Sequence, residues 1–480
     1  MLNAARAKLD EPAGLPPAER AARGKAARQA VPIDQQAAFQ PRPGRPDPID
    51  MLVQQGEARI AELLPIRYGR MLASPLAYFR GAALPMAADL AGTPSTALIT
   101  QLCGDAHLSN FGIFASPERR LVFDINDFDE TLPGPWEWDV KRLGASLQIA
   151  GRCNGFTARQ CRRIVTESVG HYRLTMRELA GLGNLEVWYA HVELDELTDR
   201  YRELLSKRER ELAAADLAGG HLPGALDDEP RELAKLVTMA HGRPRISSAP
   251  PLIVPLRDLP GQHGANLMAE LRGIVTGYRK TMELDRRYLI SQFKVADIAR
   301  KVAGVGSVGM RCWMVLLVGR DNSDLLFLQV KEAQSSVLSD FAGTSRFANH
   351  GQRVVAGQRL MQAASDIFLG WHRDSAAAPA LDPPSDYYLR QLRDWKFSLA
   401  TEQLRPAMMR AYGALCGRSL ARAHARSGDR IAIGSYLGSS AAFESAIADF
   451  AVRYADQNER DYGMFAAAVR SGRLQADRGV

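Results

Sequence analysis

The chain has 480 residues, 46% of them hydrophobic and 24% charged, which suits a soluble globular protein with more than one subdomain and excludes a fibrous or wholly disordered one. No apolar run of about 18 residues occurs, so no membrane span is expected. The net charge of +7 is spread along the chain, with no basic block beyond short patches such as SKRER and no aromatic–basic recognition motif. Nucleic-acid binding is therefore not expected as the primary role, whereas a groove that attracts a phosphorylated ligand is compatible with the charge.

Residues 1–48 are rich in Ala, Arg and Pro, alternate in charge sign and lack the apolar core of a secretion signal. Such a composition buries little surface, and the segment is expected to be a disordered arm. Apolar positions at helical spacing predict a helix over 51–75. TALITQLCGDAH begins as a buried strand and ends at Gly104, and FGIFAS and RLVFDI are short strands about the turn PER. From Trp138 to about Met282 the periodicity is mostly helical, interrupted by the loop AGGHLPGALDDEPR. KVADIARKVA reads as helix or irregular, and RCWMVLLVGRDNSDLLFLQVKEA as a hairpin around a polar turn. Helical spacing returns in GQRVVAGQRLMQAASDIFLG, the strand YYLRQL comes after a Pro-rich loop, and the chain from Arg405 is helical. The five cysteines form no C-x-x-C pair, which fits reduced thiols in a cytoplasmic protein better than a disulfide framework or a zinc site.

The stretch CGDAHLSNFGIFASPERRLVFDINDFDE concentrates the chemistry. Asp105 and Asn110 flank His107 in a loop that succeeds a strand. There a carboxylate can take a proton from an attacking hydroxyl and an amide oxygen can ligate a divalent cation. His107 is expected to hold the loop through a hydrogen bond to a backbone carbonyl rather than to bind metal. After the hairpin come Asp124, Asp127 and Asp129. Were the strand to continue, Asp127 and Asp129 would share one face and Asp124 take the other. Hard oxygen ligands of this kind suit Mg²⁺ or Mn²⁺ that also touches phosphate. Each of these residues taken alone could equally cap a turn.

GVGSVG, Gly304 to Gly309 with Gly306 and Ser307 between, fits G-x-G-x-x-G. The pattern alone is weak, but a hairpin strand comes next, and a glycine loop within a hairpin can cover the phosphates of ATP. Lys331 falls on the second strand of the next hairpin. A buried lysine there calls for an anionic partner, such as an α- or β-phosphate, unless it snorkels from a sheet edge.

GDAHLSN resembles the catalytic loop, and INDFDE the metal-binding element, of aminoglycoside and choline phosphotransferases, relatives of protein kinases. The resemblance implies a two-lobed α+β fold with a large helical lobe and a small antiparallel-sheet lobe. It implies Asp105 as catalytic base and Asn110, Asp127 and the nearby Asp129 as metal ligands. It also implies Asp139 as a brace of the catalytic loop, the glycines as phosphate cover and Lys331 as the phosphate-binding lysine. The motif order is reversed, so the fold would be circularly permuted. A helical lobe over 49–295 would carry the acidic loops, 296–400 would form the nucleotide-binding lobe, and 401–480 would complete the large lobe. The helix after Lys331 has no glutamate to pair with it, leaving Gln358 or Glu332 as substitutes. RYGRML, CGDAHLSNFG, NDFDE, WDVKRL, GVGSVG, LQVKEA and LARAHARSGD together resemble a widespread bacterial family of unknown function. The expected activity is ATP–Mg²⁺-dependent phosphoryl transfer to a hydroxyl acceptor, a small molecule rather than a protein. Nucleotidyl transfer and a non-catalytic ATP-binding module are the alternatives. A two-metal phosphoesterase is disfavoured because His-rich ligand clusters are missing.

Overall fold

A computed structural model describes residues 14–191, 235–259, 263–302, 304–373, 385–392 and 401–479. The predicted helix in LDELTDRYRELLSKREREL and the loop AGGHLPGALDDEPR lie outside the described residues. The described residues form a mixed α+β fold, with one six-stranded antiparallel sheet and three two-stranded ones.

The N-terminal segment departs from expectation. Helix α1 (Pro17–Ala30) packs on α14 (Arg430–Leu437) near the C-terminus. Arg20 and Arg23 pair with buried Asp429 at 2.9 and 3.1 Å, and Gln36 donates to Tyr436 at 3.0 Å. Arg45 bridges Asp89 and Asp461, each at 2.7 Å. Residues 14–48 are tied down by these long-range ion pairs, which their own hydrophobicity does not foreshadow.

The predicted helix over 51–75 is two helices, α2 (Pro48–Glu57) and α3 (Leu64–Met71), with α4 (Pro75–Gly81) and α5 (Ala83–Leu90) after them. Pro65 lacks the N–H that a continuous helix would need, but suits a first turn, so the helix restarts there. Next come β1 (Ile99–Leu102), the hairpin β2 (Phe111–Ala115) and β3 (Leu121–Ile125), and β4 (Leu132–Pro135), which pairs with β1.

Helix α6 (Glu137–Cys153) is buried from Glu137 through Gly151 and forms the axis of the helical body. Around it lie α7 (Ala158–Ala180), with a Thr157/Gln160 capping box, the short α8 (Asn184–Tyr189), and near the C-terminus α13 (Pro406–Ser427) and α15 (Ala442–Arg470). Their apolar faces share one core with β1–β4, centred on Trp136, Tyr172, Phe443 and Phe450.

Three strands interrupt the region read as helical: β5 (Val237–Ala240), β6 (Arg243–Ile246) and β7 (Ile253–Pro255). Helices α9 (His263–Tyr278) and α10 (Leu284–Ser291) come next. KVADIARKVA is not helical; it supplies β8 (Lys294–Lys301). β9 (Cys312–Val318) and β10 (Leu325–Ala333) form the predicted hairpin. After α11 (Ser339–Ala342) comes α12 (His350–Met361), shorter than its periodicity suggested, because the chain from Gln362 leads instead into β11 (Gly370–Arg373). β12 (Asp386–Gln391) matches YYLRQL.

The large sheet has the order β11-β12-β10-β9-β8-β7. Period-two alternation divides its residues between two cores. Trp313, Val315, Leu317, Leu328 and Val330 pack with Leu271, Ile274 and Tyr278 of α9, while Met314, Leu316 and Phe327 pack on the other side with Ile246.

Candidate functional site

The loop leaving β1 is held by its backbone. Asp139, in the first turn of α6, accepts the N–H of Cys103 at 2.8 Å and of Gly104 at 3.1 Å, and its Oδ2 lies 3.2 Å from Nε2 of His424 on α13. Tyr412 donates to the carbonyls of Leu108 and Phe111 at 2.7 and 2.9 Å. Asp139 thus sits where the resemblance put a brace. Gly104 takes φ +85°, and an added Cβ would collide with the backbone oxygen of Glu130, so the two acidic loops touch at that glycine.

Within this loop, Asp105 forms an ion pair with Arg142 of α6. Burial pushes the Asp105 carboxyl up, and Arg142 opposes that shift. Asn110 donates through Nδ2 to the Asp105 carbonyl at 2.8 Å, which leaves its amide oxygen for another donor or a cation. His107 differs from expectation. Its Nε2 lies 3.6 Å from Asp105, and its buried Nδ1 has no hydrogen-bond partner among the described residues. Burial, with Arg80 and Arg142 nearby, drives its pKa well down, so the ring is a neutral neighbour of the carboxylate.

The second acidic loop starts after β3 ends at Ile125. Asp127 and Asp129 therefore share a side through loop geometry and not through strand alternation. Asp127 accepts the N–H of Asp129 at 3.0 Å, and Asn126 N–H binds the Asn110 carbonyl at 2.8 Å, tying the loops together. Asp124 is structural. Both its oxygens accept from Arg422 of α13 at 2.6 Å, and it also takes the N–H of Ala363 at 2.9 Å.

Lys331 completes the cluster. It lies in the sheet interior between β9 and β12, 3% exposed, and does not snorkel. Its ammonium forms an ion pair with Asp129 and lies 3.9 Å from Asp127. Burial alone would lower its pKa; Asp127 and Asp129 outweigh that and raise it, so the group is charged. Tyr388, its cross-strand partner, donates to Asp129 at 2.7 Å. Neither proposed substitute for a lysine-pairing glutamate is at Lys331. Gln358 donates to Gln362 at 2.9 Å, and Glu332, on the other face of β10, accepts from Arg311 at 3.1 Å. Helix α12 instead sends Arg353 to the carbonyls of Thr131, Asp129 and Gln334 at 2.7, 2.8 and 2.8 Å.

The glycine loop joins β8 to β9, with Gly304 and Gly309 at φ +69° and +90°. Ser307 reaches Asp129 at 3.4 Å. The structure therefore brings Lys331, Ser307, Asp127 and Asp129 to one place, and Asp105 and Asn110 lie in the loop tied directly to it. Sequence reasoning missed Arg142, Arg353 and Tyr388. For Arg142 there was a signal: WDVKRL packs Asp, Lys and Arg into four positions of a helix whose sequence is otherwise largely apolar or small. Arg353 and Tyr388 carry none, because their partners lie far away in the chain.

A cavity of about 960 Å³ opens on the Glu332 face of β10, lined by Arg59, Gly309, Arg311, Glu332 and His350. Lys331, Asp105 and Asp127 do not line it, and the polar convergence marks the site better than this hollow does. Among the described residues no three His, Cys, Asp or Glu side chains gather as a metal cage. Mg²⁺ is commonly held by one or two carboxylates together with phosphate oxygens, so Asp127 and Asp129, with the amide oxygen of Asn110, fit it by chemical kind. No helix among the described residues is long and apolar enough to cross a membrane, and all five cysteines are free.

A family model matches residues 59–468, which include both acidic loops, the glycine loop and Lys331. The chain belongs to the family described as uncharacterized protein conserved in bacteria, DUF2252. No curated protein and no solved structure matches it significantly. The match begins at Arg59, so α1 and α2 precede the family region.

Proposed function

We propose that this DUF2252 protein is an ATP-dependent phosphotransferase on a circularly permuted, two-lobed protein-kinase-like fold, acting in the cytoplasm on a small hydroxyl-bearing acceptor. The observation that carries the reading is Lys331. A buried ammonium on a sheet strand meets two carboxylates from a helical body, next to a glycine loop, and this polar set suits a triphosphate. Lys331 and the glycine loop would bind the phosphates, and Asp105 would orient the acceptor. The acceptor oxygen bonds to the γ-phosphorus, the bond from that phosphorus to the ADP oxygen breaks, and the hydroxyl proton passes to Asp105. A carboxyl raised by burial is suited to take that proton. When bound, Mg²⁺ offsets phosphate charge from the side of Asp127, Asp129 and Asn110.

The ion pair between Arg142 and Asp105 gives weight to a second reading, a non-catalytic ATP-binding module, since it weakens Asp105 as a base. Both readings predict that ATP with Mg²⁺ raises the melting temperature, because a ligand specific to the folded state stabilises it. Lys331→Ala and Asp127→Ala should each reduce the shift; if neither does, the site is elsewhere. Parallel incubations with γ-labelled and with α-labelled ATP and cell extract separate the readings. Transfer of label that Asp105→Asn abolishes while ATP binding persists supports the phosphotransferase. ATP bound with no label moved supports the module, and label carried only from the α-position supports nucleotidyl transfer.

A further inference from the structure

The glycine loop is fastened from outside the sheet. Arg59, just after α2, donates to the carbonyls of Gly306 and Val308 at 2.7 and 2.6 Å, and Arg70 of α3 donates to the carbonyl of Gly304 at 2.6 Å. The N–H of Ile60 binds the Gly309 carbonyl at 2.8 Å. Between these bonds, Val305 packs with Leu52, Tyr68 and Phe465, and Val308 with Leu63 and Ile66. The turn closes through the N–H of Met310 to the Ser307 carbonyl at 3.1 Å. A hairpin loop rich in glycine would be mobile if left alone; this one is pinned by apolar anchors and arginines.

The pinning has a directional consequence. Across a planar trans peptide, the C=O of one residue and the N–H of the next point in opposite directions. With the carbonyls of Gly304, Gly306 and Val308 turned to the arginines, the N–H groups of Val305, Ser307 and Gly309 turn away from them. Amide N–H groups gathered on one side, here from alternate residues, line a concavity suited to anions. The Ser307 hydroxyl, from the middle of the loop, reaches Asp129 in the acidic cluster.

We propose that Arg59 and Arg70 are positioning residues that hold the loop's carbonyls outward and so preform an anion cradle from the N–H groups of Val305, Ser307 and Gly309. The inference rests on the nucleotide reading of the site and assigns to the arginines the task of keeping the cradle open before the phosphates arrive. They touch the loop, not the nucleotide.

The test is amide hydrogen exchange on the full chain, with pyrophosphate as a probe that needs no base pocket and ATP with Mg²⁺ as the second ligand. In wild type, pyrophosphate should slow exchange at Val305, Ser307 and Gly309. Arg59→Gln should speed exchange at the bonded amides of Ile60 and Met310 and weaken pyrophosphate about tenfold, the effect of roughly one charge-assisted hydrogen bond. Arg59→Lys should restore part of the affinity, and the more exposed Arg70→Gln should act in the same direction with little risk to folding. Lys331→Ala should weaken pyrophosphate without speeding exchange at Ile60 or Met310. The proposal is overturned if Arg59→Gln and Arg70→Gln leave pyrophosphate affinity unchanged, even where exchange rises, because the arginines would then be structural only. Pyrophosphate protection without ATP binding supports the cradle and overturns the nucleotide reading by itself.

Discussion

Gly104 looks like a spacer in CGDAH, yet it decides whether the two acidic loops meet. Its φ of +85° and the Glu130 oxygen where a Cβ would go leave no room for a side chain. Gly104→Ala should cost about 2 kcal/mol or more and abolish the ATP-dependent thermal shift. Thermal unfolding with and without ATP checks this, and a variant of normal stability that still responds to ATP would refute it. The other decisive residues at this scale are arginines. Arg142 takes a carboxylate, while Arg353, Arg59 and Arg70 take backbone carbonyls, so their effect is on loop shape more than on charge.

Among the elements, α6 carries the most unusual burden. It is buried from Glu137 through Gly151 while carrying Glu137, Asp139, Lys141 and Arg142. Glu137 is satisfied by the N–H and hydroxyl of Thr96 at 2.6 and 3.0 Å. Lys141 donates to Thr93 at 3.0 Å and lies 5.2 Å from the centre of the Phe450 ring. Burial lowers the Lys141 pKa from 10.5 to about 8, against the pull of Glu137. Between those two values the unfolded chain holds more protons than the folded one, so this residue makes stability rise with pH across that window. Below about pH 8 the fold bears a buried charge; above about pH 10.5 the lysine is neutral in both states. Lys141→Met should therefore stabilise the protein near pH 7 by up to an order of 3 kcal/mol, and the gain should fade as pH approaches 10.5. Urea unfolding across that range is the measurement; a gain that does not vary with pH would contradict the assignment.

At the scale of the whole molecule, residues 20–45 close onto residues 429–461. Arg20 and Arg23 pair with Asp429, and Arg45 bridges Asp89 and Asp461. Burial pushes the Asp461 carboxyl up, and Arg45 opposes that. Deleting residues 1–47 would strand these buried carboxylates, each at a cost of roughly 3–5 kcal/mol. The melting temperature should fall by about 5 °C or more; an unchanged value would mean that this segment contributes little.

Local pattern alone was enough for β1–β3, the β9–β10 hairpin, β12, the two acidic loops, the glycine motif and Lys331, because strand alternation, turn residues and an anomalous buried lysine are written in neighbouring positions. It failed for β5–β7, in a region read as helical, for β8, whose mix of small and charged residues has no clear period, and for residues 14–48, which are held by ion pairs to residues far along the chain. Local pattern also named Asp105, Asn110, Asp127, Asp129 and Lys331 but could not say which touch. Tertiary structure alone decided that Lys331 meets Asp127 and Asp129, that Asp124 belongs to Arg422, and that Gln358 and Glu332 are engaged elsewhere. The ion pairs of Lys331 and of Asp124 join residues hundreds of positions apart, and only the folded backbone selects, from many carboxylates, the one within reach of each buried cation.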